Sequence, residues 1–143
     1  MIRLDLRKEL KRFYTAKRKP ELIDVPEGRF LTILGRGDPN GPEYQEAMQA
    51  LYGMSYTIKF SQKTEGRDYT VMHLEGLWWV DGGVFDLNDP APREMWRWKS
   101  MIRQPDFITD GWLRRLGTSH SRRMGLDFPL TPGTGIADIS ALV

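Results

Sequence analysis

At 143 residues the chain has room for one domain with a real core and too little for two ordinary ones. Hydrophobic residues at 40% and charged residues at 28% describe a soluble globular protein. With no cysteine and two histidines, disulfides, thiolate metal sites and a Cys nucleophile are excluded, and neither a metal nor a cofactor is expected. No run approaches the roughly 20 apolar residues that span a bilayer, and the first thirteen residues alternate charge with Leu instead of building a signal core, so no membrane contact and a cytoplasmic location are expected. The net charge of +2 is too small to argue for nucleic acid. Basic residues crowd the first twenty positions (Lys8, Lys11, Arg12, Lys17, Arg18, Lys19), but only Phe13 and Tyr14 are interleaved with them as stacking aromatics, so solvated charge is the simpler reading.

Taken in order, residues 4–14 carry Leu4, Leu6, Leu10 and Phe13 at loosely helical spacing and predict a short, partly docked segment. Pro26-Glu27-Gly28 is turn chemistry that introduces a strand over residues 29–37, closed by Gly35 and Gly37 ahead of a loop dense in breakers. Asn40 is the expected N-cap of the next helix and Pro42 suits its first turn. From there Tyr44, Ala47, Met48, Leu51, Ser55 and Ile58 recur at i, i+3, i+4, i+7, which predicts a helix to about Phe60 with one apolar stripe. Residues 69–77 alternate as a strand, with Tyr69, Val71, His73 and Glu75 on one face. Residues 95–103 form another, and Ile108 to Gly117 resembles a further helix, with Trp112, Leu113 and Leu116 as its apolar residues. The order β, α, β, β, α describes an α+β domain with a mainly antiparallel sheet and its helices on one face.

The two runs YTVMHLEGLWW and MWRWKSMIR hold four of the five tryptophans. Glu75 lies among apolar and aromatic neighbours, surroundings that favour acid or base duty in a carboxylate; the plainer alternative is that it faces water or pairs with Lys99 or Arg97. Trp78, Trp79, Trp96 and Trp98 could cage a planar or cationic ligand, although strand tryptophans are more often core. Tyr56 could bring a hydroxyl to the same space from the helix or cap the core edge. His73 fits a structural histidine better than a base. Met48, Met54, Met72 and Met101 suit an adaptable pocket as well as any core. There is no P-loop, GxGxxG or HExxH, and no serine sits on a sharp nucleophile turn.

Over roughly residues 6–116, the combination of GRGDPN, SYTIKF, EGLWW and RQPDF resembles the N-terminal half of GyrI-like small-molecule-binding proteins, in their stand-alone bacterial subgroup. The resemblance implies one βαββ half, with a following helix, of a SOUL-like pseudo-two-fold domain whose cleft takes hydrophobic, often cationic, drug-like molecules. Some stand-alone members hydrolyse cyclopropane-bearing (cyclopropanoid) toxins, holding them with aromatic residues while a carboxylate assists water. The expected lining is therefore Tyr56, Glu75, Trp78, Trp79, Trp98 and Met101, with Glu75 the candidate catalytic group. Residues 117–143 depart from the family's second half and read as a divergent or poorly ordered tail. That departure favours binding over hydrolysis. It leaves two further expectations open: a homodimer that completes the cleft, or a truncated, inactive fragment.

Overall fold

The computed structural model describes residues 3–83, 88, 91–109, 111 and 135–142. Its centre is a four-stranded antiparallel sheet with one long helix, α2 (Pro42–Thr64), packed on one face. The strands are β2 (Asp24–Arg36), β4 (Leu74–Val80), β5 (Trp96–Gln104) and β6 (Gly135–Leu142), in the spatial order β4-β5-β2-β6. The expected α+β architecture and its βαββ order are both present.

Strand β2 starts five residues before the predicted strand because Pro26-Glu27 is not a turn. Asp24 and Val25 already pair with Leu142 and Ala141, and the register slips between Val25 and Gly28. A bulge is a place where a proline costs no ladder hydrogen bond, so the breaker residues sit inside the strand. The partner there, β6, comes from the residues that the sequence assigned to the tail. Downstream, β2 runs through the middle of the sheet and buries Leu31 and Ile33 towards α2.

Helix α2 begins at Pro42 as expected, but its N-cap is Gly41, with no side-chain cap. Asn40 instead donates its backbone N–H to Asp38 Oδ1 at 2.9 Å, and Gly41 N–H reaches Asp38 O at 2.8 Å, so Asp38 organises the loop and keeps the Asn40 side chain off the helix end. The helix continues four residues beyond Phe60 and stops before Gly66, whose φ of +86° suits a residue without a Cβ. The extra turn carries Gln62 into the core, just beyond the buried Lys59, which bonds Asp68 at 2.8 Å and the carbonyl of Tyr69. A buried ammonium needs such partners, and these two tie the end of α2 to the chain that follows.

The segment predicted as one strand over residues 69–77 divides. Asp68–Tyr69 (β3) pairs in parallel with Arg3–Leu4 (β1), which docks the N-terminus together with the short helix α1 (Leu6–Glu9), whose Leu6 is buried. Val71 and Met72 are then buried outside any ladder, and strand pairing resumes only at Leu74. The helix expected from Ile108 falls largely outside the described residues.

Between sheet and helix lies one core: Leu31, Ile33, Leu51, Ile58, Trp98 and Ile102 at its centre, with Tyr44, Leu74 and Trp78 against it. Trp98 is 1% exposed, and its ring lies on Gly35, where a Cβ would fall 2.1 Å from ring carbons. The glycine that the sequence reads as a strand end is thus the floor for the largest core side chain.

Candidate small-molecule site on the outer face of the sheet

Strand alternation decides which predicted site residues can meet. In β4, Leu74, Gly76, Trp78 and Val80 point to the α2 side, and Glu75, Leu77 and Trp79 point to the opposite, outer face. The register builds three outer rows across β4, β5 and β2: Glu75, Met101 and Thr32; then Leu77, Lys99 and Leu34; then Trp79, Arg97 and Arg36.

The expected lining is therefore split. Glu75, Trp79 and Met101 share the outer face. Trp98 is core, and Trp78 is half-buried with Tyr44 at 5.6 Å and Trp96 at 6.0 Å between ring centres, an aromatic cluster closed by the Tyr44 and Trp98 contact at 5.1 Å. Among the described residues these edge-on and tilted rings pack against one another, not as parallel walls around a stacked ligand. Tyr56 is exposed on α2, in ring contact with Phe60 at 6.2 Å, with the sheet between it and Glu75.

The partner of Glu75 is one that sequence reasoning missed. The 3-10 turn Lys11–Phe13 delivers Tyr14 to the outer end of β4, where its hydroxyl donates to Glu75 Oε2 at 2.8 Å. Burial holds the Tyr14 phenol well above its ordinary pKa; the hydrogen bond and charge of Glu75 add to the rise, and Arg103 opposes it. Tyr14 thus stays a neutral donor throughout the working pH range. It fixes one carboxylate oxygen and leaves the other for a ligand or a water. Neither Lys99 nor Arg97, the partners proposed from sequence, is paired with Glu75; Arg97 instead meets Asp81 at 2.6 Å.

Around this pair, the His73 ring lies 6.0 Å from that of Tyr14. Arg103, buried, lies over the Phe30 ring at 5.3 Å and over Gly28, where a Cβ would meet its guanidinium. A cleft of about 440 Å³ opens beside Glu75, with Phe13, Tyr14, Ile23 and Val25 as apolar wall and Lys17 and Lys19 among its polar residues. The signal for this wall was present in the sequence: Phe13 and Tyr14 are the aromatics embedded in the basic N-terminal run. What periodicity could not show was that the segment folds back across the sheet. Among the described residues no group of three or more His, Asp and Glu could hold a metal ion, and no helix is long and apolar enough to cross a membrane.

No family model and no curated protein matches the chain. Solved structures do. An uncharacterized conserved protein from Listeria innocua superposes with a TM-score of 0.84 at 41% identity, over 97% of this chain and 68% of its own. A hydrolase from Listeria innocua gives 0.78 at 40%, over 97% of this chain and 66% of its own. A second structure described as a hydrolase from that organism gives 0.81 at 40%, over 99% of this chain and 68% of its own. The chain belongs to the family of these Listeria innocua proteins and spans about two thirds of their length.

Proposed function

We propose that this chain carries the small-molecule site of a GyrI-like protein, and that a hydrophobic, drug-like ligand lies on the outer face of the sheet with Glu75 as its polar anchor. The observation that carries this reading is the Glu75 carboxylate, fixed by the neutral Tyr14 hydroxyl at 2.8 Å, at the mouth of an apolar cleft and on the same face as the exposed ring of Trp79. A preorganised acceptor beside apolar walls is the usual form of a ligand site. The test is saturable quenching of tryptophan fluorescence by a neutral hydrophobic probe: Glu75→Gln should weaken binding of ligands that donate a hydrogen bond, and Tyr56→Phe should leave it unchanged. Equal loss in both variants would contradict the placement.

A second reading, hydrolysis of a strained electrophilic ring such as a cyclopropane, is favoured by the two hydrolase structures that match at 40% identity. In it the free oxygen of Glu75 takes a proton from water as the water oxygen bonds to a ring carbon and the strained C–C bond breaks, its electron pair passing into the conjugated system beside it. Tyr14 acts as a positioning residue for that carboxylate. Mass-spectrometric detection of a water adduct of a cyclopropane-bearing electrophile, lost in Glu75→Gln, tests it; an unchanged rate in that variant would remove Glu75 from the chemistry.

A further inference from the structure

The outer face changes character along β4. At the Glu75 end it is buried, with Phe30, Thr32, Met101 and Arg103 all nearly inaccessible. At the other end it opens: Leu34 is 46% exposed, Leu77 44% and Trp79 37%. Isolated surface leucines need no explanation, but these three share one face in two adjacent rows, and Leu77 follows Glu75, which lines the cleft, on the same face of β4. At the centre of this apolar patch stands Lys99, directly opposite Leu77 on one side and Leu34 on the other.

Lys99 and Arg36 have no acidic partner among the described residues. Arg97, between Trp79 and Arg36, is paired with Asp81. Lys17 and Lys19 stand at the cleft beside Glu75, and Lys17 lies 3.9 Å from Glu21. Among the described residues the anions on this face are Asp81, already held by Arg97, and Glu75, engaged by Tyr14 and diagonal to Lys99 across the β4–β5 ladder, about 7–8 Å away. An ammonium held between exposed leucines is partly shielded from water, so its field acts on a bound molecule more strongly than that of a free surface lysine. Among the described residues of this face, Lys99 and Arg36 carry the charge left unpaired, and it is positive.

We infer that the outer-face site selects hydrophobic anions: an aromatic or aliphatic body lying over Leu34, Leu77 and Trp79, with a single anionic group, a carboxylate or sulfonate, on Lys99. The inference rests on the proposed outer-face ligand site and fixes its ligand class, against the cationic ligands that the sequence resemblance implies. Spacing sets a size: Glu75 and Trp79 are four residues apart on one strand, about 13 Å, so one molecule spanning both is two to three fused or linked rings long.

Three probes of similar size test it on the full chain: anilinonaphthalene sulfonate, the neutral phenylnaphthylamine that shares its ring skeleton, and a cationic rhodamine. The sulfonate should bind about tenfold more tightly than the neutral probe and the rhodamine more weakly than either, with the sulfonate preference shrinking as salt rises. Lys99→Met should bring the sulfonate down to the affinity of the neutral probe, or within threefold of it, leave the neutral probe unchanged and preserve the circular dichroism spectrum; Lys8→Met, on α1, should change none of these. Neutral binding without sulfonate preference, or a preference that survives Lys99→Met, overturns the inference and leaves the outer-face site standing. If none of the three binds, both readings fall.

Discussion

The two faces of one sheet put the same kinds of residue to opposite uses. On the inner face Trp78 meets Trp96 edge-on and Tyr44 at a tilt, Tyr44 meets Trp98 edge-on, and Trp98 is sealed onto Gly35 beneath α2. On the outer face Trp79 stands partly exposed beside a lysine and two exposed leucines, with Glu75 held by a tyrosine from a distant segment. The adjacent residues Trp78 and Trp79 therefore belong to different layers with different roles. An aromatic run in a strand is not a cage: the pleat sends every second ring away, and only the layer behind each face decides which ring is core and which is surface.

The largest expected effect tests the inner face. Trp98→Ala should cost about 3–5 kcal/mol by denaturant unfolding, the range for deleting a fully buried large aromatic. Gly35→Ala should destabilise by about 1–3 kcal/mol or more, since the new methyl would lie 2.1 Å from the Trp98 ring unless the ring moves. A cost under about 0.5 kcal/mol for either would mean that the inner layer is loosely packed and open to ligand after all.

Smaller effects belong to the outer face. Tyr14→Phe removes one partly buried hydrogen bond to a carboxylate and should cost about 1–2 kcal/mol, while ligand affinity falls because Glu75 is no longer fixed. Trp79→Ala should change stability by less than about 1 kcal/mol yet remove most of the binding of a hydrophobic probe. If stability rather than binding is lost, the contrast between faces fails. Acid titration adds a check on the frame. Asp68 has its pKa lowered, chiefly by its hydrogen bond to Lys59, so the stability it contributes is present above the ordinary carboxylate pKa and lost as pH falls through the lowered value. The acid limb of the unfolding midpoint should flatten in Asp68→Asn, and an unaltered limb would show that other carboxylates dominate it.

The legible parts of this fold were those governed by local rules. The apolar stripe from Tyr44 to Ile58, Pro42 at the helix start and the alternation in β5 placed α2 and its partner strand, because helix period and pleat are properties of short segments. What the sequence hid depended on distant pairing. Pro26-Glu27 reads as a turn until β6, more than a hundred residues later, is laid beside it as a bulged neighbour. Residues 69–77 read as one strand because nothing local reveals that Tyr69 pairs with Leu4. Of the lining residues expected from the sequence, Glu75, Trp79 and Met101 share the outer face. Tyr14 and Arg103 were not, since a hydrogen bond across sixty-one residues leaves no periodic trace.

The central claim is that the ligand face is the outer one. The most direct measurement is quenching of intrinsic tryptophan fluorescence by the neutral naphthylamine in Trp79→Phe and Trp78→Phe, each compared with the unaltered protein. Most of the saturable quenching should disappear in Trp79→Phe and persist in Trp78→Phe. Quenching that survives in the first and vanishes in the second would place the ligand among the inner rings and contradict the account.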